Sequence, residues 1–479
     1  MTGNRVQTWL SRSVLERTCC PYAWLRAVAA EPYPALLESS LLRRGLGRFS
    51  LLCWAPFKKI TVGLEITEVK NLRDGETRRL RGDPFPIMSA EFAEHRFAAS
   101  AAPDLPFAGG AVGYFSYDLR HRVERLPTEC DYDVDVPYAV LCFYDHALVF
   151  DHDRQVTEWV TLPGCNHEPP QPSKREVEPD LEPVELESNF AHEEYLHAIR
   201  RAKEYIAAGD IFQVNLAQRF SGACDSDGVD VYGRLRSTNP APFSGFLRYP
   251  EFEIISSSPE RFLLVEGDTV TTRPIKGTRP RRAGDEAFNE RMRQELLGAL
   301  KDHAELTMIV DLERNDLGRV CRYGSVKVTE HAVLEAYQTV FHLVSTVQGE
   351  LHRPEQDEFS LIKASFPGGS ITGAPKIRAM EIIEELEPHA RAVYTGSMGY
   401  LSFHGRMDLN IAIRTMLKQD GRVYLNFGGG LVADSVPELE YEETLHKGKA
   451  LFEALGANTY SELIGSDVET RINRTRTDE

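Results

Sequence analysis

The stretch Phe262-Leu263-Leu264-Val265-Glu266-Gly267-Asp268-Thr269-Val270-Thr271-Thr272-Arg273-Pro274-Ile275-Lys276-Gly277 decides how the chain is read. Two runs rich in β-branched and large apolar residues flank Glu266-Gly267-Asp268, which is the pattern of a β-hairpin closed by a glycine turn. The second run is expected to end at Pro274, with Gly277 completing a rigid turn that aims the Lys276 ammonium into a cleft. A solvated strand-end lysine beside Arg279, Arg281 and Arg282 is the other reading of the same residues.

Outward from this hairpin the same texture continues. Strands are expected near 211–217, 243–249, 252–257, 324–329, 340–349, 394–403, 407–417 and 422–427. Helical spacing recurs from Ser188, as a cap, to Ala208, from 286 to 314, from Pro375 to Leu386 and from Pro437 to Leu455. Hairpin series interrupted by helices indicate an α+β fold: large antiparallel β-sheets packed as a sandwich with flanking helices. Residues 10–162 mix short strands and turns. Within them Pro106–Asp118 is glycine-rich with no helix after it, so a close backbone crossing between strands is favoured over a phosphate loop. Six prolines between Pro163 and Asn189 mark residues 163–189 as a linker to a second region, 190–458.

With 479 residues the chain has room for a large core. Its net charge of −17 excludes nucleic acid as the main partner, because phosphate binding needs a concentrated positive surface. No apolar run is long enough for a bilayer, and the first residues lack the apolar core of a secretory signal, so a cytoplasmic protein is expected. The eight cysteines show no zinc-type spacing and are expected to be reduced thiols.

Two helices carry carboxylates on apolar stripes. Glu440, Glu443 and Lys447 share a face with Leu451 and Leu455, while Glu442 lies nearly opposite; Glu305 shares its stripe with Met308, Ile309 and Leu312. A lone buried carboxylate costs several kcal/mol unless it is paired, protonated or bound to a metal. Oxygen-only ligation favours Mg²⁺, and structural Glu–Lys or Glu–Arg pairs are the alternative. Two glycine-rich turns, Phe366–Lys376 before a helix and Asn426–Gly430 at a strand end, offer backbone amides to an anion.

Taken in order, Gly209–Leu216, Ser257-Ser258-Pro259-Glu260, Ala304-Glu305 with Asp311-Leu312, Arg314–Arg319, Gly373–Lys376 and the Glu440/Glu443/Lys447 helix resemble the chorismate-utilising enzyme family. The segments Leu36–Ser39 and Pro106–Asp118 are similar to the N-terminal region shared by its anthranilate synthase and aminodeoxychorismate synthase component I branches. The former typically have alanine where this chain has Lys276, and the latter have lysine.

The resemblance implies amination of chorismate at C4 on a route to 4-aminobenzoate and folate. It implies Lys276 as a nucleophile that is neutral among other cations, Glu260 as general acid, and Mg²⁺ on Glu305, Glu440 and Glu443. His342, Thr372, Tyr394, Arg414, Gly428, Gly429, Gly430 and Lys447 are implied to bind substrate, and a glutamine amidotransferase partner to supply ammonia. Glu38, Ser39, Asn239 and Pro240 are implied to form a tryptophan pocket. Amination at C2, as in an anthranilate synthase, and a catalytically silent tryptophan-binding subunit stay open as alternatives.

Overall fold

Ala139–Tyr144 is apolar at every position because both faces of its strand are covered. Val140, Cys142 and Tyr144 enter one core layer with Leu51, Ala147, Val149, Leu247, Ile254, Met398 and Leu417, whereas Ala139, Leu141 and Phe143 enter another. Strand side chains alternate in direction, so an unbroken apolar run marks a strand between two layers. The same partition operates at Leu51/Leu52, Val149/Phe150 and Ile254/Ile255, whose second members join a third layer with helices Pro21–Val28, Gly228–Thr238 and Pro437–Ala454.

The computed structural model describes residues 10–16, 20–41, 46–98, 102, 104–173, 181–337 and 340–457. Two antiparallel sheets of twelve strands each face one another across the middle layer, and helices cover their outer faces. This is the α+β sandwich expected from the sequence. No helix among the described residues is long and apolar enough to cross a membrane.

The two sequence regions share both sheets. Phe243–Arg248 pairs with Phe252–Ser258 on one side and with Ala35–Glu38 on the other. Ser397–Ser402 pairs with Gly110–Phe115, where Gly399 and Gly113 stand opposite each other. A Cβ at Gly113 would collide with the Val140 carbonyl, so the glycine-rich segment is the close strand crossing that its composition implied.

Three local expectations are corrected. Ser188 caps no helix: it sits in the short strand Glu187–Ser188 against Phe220, its hydroxyl bonds Gln218, and the helix starts at His192 with the Glu194 side chain accepting from the Ala191 N–H. The second half of the proline-rich segment is packed, since Leu181, Val184 and Leu186 enter the outer core beside the Pro437–Ala454 helix. The helical pattern from 286 divides at Ala299 into Glu286–Gly298 and Leu300–Gly318.

Candidate active site

Lys276 stands inside a strand. Chain direction continues past Pro274 into Ile275–Pro280, the edge strand of the second sheet, which pairs with Val340–Glu350. The register breaks between Lys276 and Thr278, leaving Gly277 as a bulge at φ +67°. A Cβ there would also press on Leu296 and Asp302, so only glycine satisfies both the backbone and the packing. The expected strand-ending turn is thus a β-bulge, because pairing with a strand some seventy residues later is a tertiary event that local sequence does not announce. The bulge turns Lys276 into a cleft of about 710 Å³, where its Nζ donates to the Ser370 carbonyl at 3.3 Å.

Ser370 links the lysine to the acid. Its hydroxyl donates to Glu260 Oε1 at 2.7 Å, and Glu260 is buried just after the strand Phe252–Ser258. Burial raises the Glu260 carboxyl above its ordinary value, against the opposing pull of the Ser370 hydroxyl, the Lys276 charge and the Ile275 amide. A carboxyl group whose burial favours the protonated form is suited to donate that proton.

Across the cleft lie the three carboxylates. Glu305, on the Leu300–Gly318 helix, accepts from Gln213 Nε2 at 3.3 Å, and burial raises its carboxyl. Glu440 is buried and accepts from the Ser435 hydroxyl at 2.6 Å. The ammonium of Lys301 lies between them, 4.0 Å from Glu305 and 3.5 Å from Glu440. Glu443 pairs with Lys447 at 2.7 Å, whose charge holds its carboxyl below the ordinary value in spite of burial.

The helix-face expectation needs correcting here. Thr444, Gly448, Leu451 and Phe452 of the Pro437–Ala454 helix face the sheet, with Glu440 at their margin; Glu443 and Lys447 are turned toward the cleft and are about half exposed. Glu442 lines the cleft mouth with them, so it is not confined to the opposite, solvent face. The charged residues share a stripe with Leu451 only approximately, and a quarter turn separates core from cleft.

Three hard oxygen donors fit Mg²⁺ by chemistry. In this structure they do not lie within 4.8 Å of one another, and lysine ammonium groups balance them. Lys276 faces the carboxylates Glu260, Glu305 and Glu443 and shares the cleft with the expected cations, Arg279, Lys301, Arg414 and Lys447.

The opposite wall is built for an anion. Arg414, in the left-handed region at φ +50°, lines the cleft with a guanidinium that has no hydrogen-bond or ion-pair partner among the described residues, and burial lowers its pKa. A desolvated, unpaired guanidinium is a receptor for a carboxylate. Tyr394 is buried beside it, its phenol receiving the Gly428 amide. His342 lies opposite Thr278, its Nδ1 2.9 Å from the Thr278 hydroxyl.

Gly428, Gly429 and Gly430 lie within the strand Arg422–Leu431, not at its end. A Cβ at Gly429 would come within 3.3 Å of Glu440 and 3.8 Å of both Glu443 and Lys447, and one at Gly430 would strike Gln213 and approach Lys276 at 3.6 Å. The strand is bare so that the charged groups can approach its backbone.

Two sequence assignments leave the site. Thr372 is fully buried outside the cleft, donating to the Gly368 carbonyl at 2.9 Å, while Gly373 and Ala374 are tied to the sheet at Val214 and Gln213. Asn239 bonds Ser257, and neither Asn239 nor Pro240 lines the second cavity, of about 330 Å³, which Glu38 and Ser39 do line together with Phe49, Ser244 and Met398. The Glu38 carboxylate there is already held by Arg236 and by the Tyr232 hydroxyl at 2.5 Å. Conversely, Asn215, Lys301 and Ser370 line the cleft and Gln213 reaches it by its hydrogen bond to Glu305, although the sequence pattern assigns none of them a role there. Gln213 and Asn215 were detectable, since two polar residues two apart on a strand share one face. Their side-chain carbonyl oxygens are buried without a partner.

The description of the chorismate binding enzyme family matches residues 51–453. The chain belongs to the chorismate binding enzyme family. Within that family the chain is 41% identical over 431 residues to aminodeoxychorismate synthase component 1 of Klebsiella aerogenes, covering 88% of this chain and 93% of the relative. It is 40% identical over 480 residues to anthranilate synthase component 1 of Synechocystis, covering 91% and 93%. The solved anthranilate synthase component I of Streptococcus pneumoniae superposes with a TM-score of 0.74 at 33% identity, covering 86% of this chain and 94% of that one. This chorismate binding enzyme therefore acts on chorismate, and its acid, lysine and arginine are gathered in one cleft.

Proposed function

We propose that the chain is the chorismate-aminating component of an aminodeoxychorismate synthase and places nitrogen on C4. The observation that carries this reading is the chain of contacts Lys276, Ser370, Glu260, which sets an amine and a proton donor side by side in the substrate cleft. The relatives named for this activity, at 40–42% identity, support it.

Arg414 takes one chorismate carboxylate and orients the ring. The Lys276 amine, once deprotonated, attacks C2; the two ring double bonds shift, the C4–O bond breaks, and Glu260 gives its proton to the departing hydroxyl, which leaves as water. Ammonia then forms a bond to C4, the double bonds return, the C2–N bond breaks, and the lysine amine is released. The sum is chorismate plus ammonia giving 4-amino-4-deoxychorismate plus water. Mg²⁺ held by Glu305, Glu440 and Glu443 would neutralise a substrate carboxylate and draw electron density from the ring. Ammonia would come from a separate glutamine amidotransferase, as the component 1 names of the relatives fit, and the product would feed 4-aminobenzoate and folate synthesis. The cavity at Glu38 and Ser39 would take tryptophan.

Anthranilate synthesis is the second reading, because the Synechocystis and Streptococcus relatives are nearly as similar. Purified protein given chorismate, Mg²⁺ and ammonium separates the two. Formation of 4-amino-4-deoxychorismate, detected by chromatography, is expected. Fluorescent anthranilate without it would overturn the assignment.

A further inference from the structure

Asp145 is the single residue between strands Ala139–Tyr144 and His146–Asp151, His146 opens the second of them, and Cys165 lies just beyond Val156–Thr161, at the start of the proline-rich segment. One carboxylate oxygen, one ring nitrogen and the thiol sulfur of these three residues all fall within 4.8 Å of one another. His146 is completely buried, and its Nε2 has neither a hydrogen-bond partner nor contact with solvent. The other nitrogen, Nδ1, lies 2.9 Å from Asp145 Oδ1, while Asp145 Oδ2 receives Arg73. The imidazole of His167, two residues after Cys165, packs tilted against His146 at 4.3 Å between ring centroids, and Trp54 and Trp159 also pack on that ring.

We propose that Asp145, His146 and Cys165 form a structural site for a divalent zinc-class ion, separate from the chorismate cleft. A mixed oxygen, nitrogen and sulfur donor set suits a borderline-soft ion, and Mg²⁺ would avoid the thiol. Arg73 holds one Asp145 carboxylate oxygen from behind and leaves Oδ1, 2.9 Å from His146 Nδ1, to meet the ion. The spacing is invisible in sequence, because two adjacent residues and a third nineteen positions later resemble no compact metal motif. Such an ion would pin the beginning of the proline-rich segment to the first sheet.

The test uses full-length protein without a histidine tag, with Zn²⁺ and then Co²⁺ as probes and excess Mg²⁺ present to occupy carboxylate sites. Stoichiometric Zn²⁺ retained after dialysis is expected, with a Co²⁺ derivative showing the near-ultraviolet thiolate-to-metal absorption that carboxylate ligation lacks. Cys165→Ser should abolish that absorption and weaken Zn²⁺ at least about tenfold, while Cys20→Ser leaves both unchanged; the lysine-dependent synthase reaction serves as the check that each variant is folded. No retained Zn²⁺ in wild type, or retention and absorption unaltered in folded Cys165→Ser, would overturn the site and leave a hydrogen-bonded cluster.

Discussion

Arg391 and Arg414 lie in the same part of the molecule and differ in what surrounds them, Arg391 buried and Arg414 half-buried in the cleft wall. Arg391 is saturated: Glu387 accepts two hydrogen bonds from it at 2.6 and 2.9 Å, and the carbonyls of Asn215 and Ile371 and the Thr395 hydroxyl accept the others. Arg414 has a comparable position and no partner among the described residues. A buried charge with its partners present holds elements together; one without them is held ready for something the protein binds. The Glu38 carboxylate belongs with Arg391, because Arg236 and Tyr232 already satisfy it, and a ligand of that cavity would meet the other lining residues.

This contrast fixes the expected effects, beginning with the largest. Arg391→Met strands the Glu387 carboxylate and should cost about 3–5 kcal/mol of stability, read by urea unfolding. Arg414→Met removes an unpaired, half-buried charge, so its melting temperature should stay level or rise while kcat/KM for chorismate falls by roughly a hundredfold, the worth of a charge-assisted contact near 3 kcal/mol. If Arg414→Met proved the less stable of the two, the distinction between them would fail.

Smaller effects sharpen the cleft itself. Glu305→Ala and Glu443→Ala should each raise the Mg²⁺ concentration needed for half-maximal rate by about tenfold or more, and Glu442→Ala should change it little, as titration of initial rates would show. Equal dependence on Glu442 would move the metal toward the cleft mouth. Glu260 acts as an acid only while protonated, so the rate should decline as pH rises through its raised pKa. Ser370→Ala removes a hydrogen bond that favours the carboxylate, which raises that pKa further and moves the alkaline limb of the pH–rate profile upward by a fraction of a pH unit. A downward shift would contradict the role given to Ser370.

The sandwich is legible in sequence because segments such as the 262–272 hairpin carry their own signals. Which strands share a sheet is not, since Ala35–Glu38 reaches its partner Phe243–Arg248 from the other sequence region. In the site, the structure brings Lys276, Glu260, Glu305, Glu440, Glu443 and Arg414 into one cleft, but not in all the local settings that the sequence pattern implies. Lys276 was placed at a turn because the pairing that makes its bulge is nonlocal, and the Glu443 face was misjudged because helix period alone does not tell a core from a cleft. Thr372 was misplaced for a simpler reason: its turn folds back on the Gly368 carbonyl. Much of the role assignment came from family resemblance, and the geometry adds the contact through Ser370 and the empty partner set of Arg414.

The central claim is that Lys276 directs nitrogen to C4, and product analysis of Lys276→Ala with saturating chorismate, Mg²⁺ and ammonium tests it most directly. Loss of 4-amino-4-deoxychorismate by at least about a thousandfold, with chorismate affinity within a few fold of the parent, is the expected result. Undiminished formation of the C4-aminated product would remove the lysine from the chemistry.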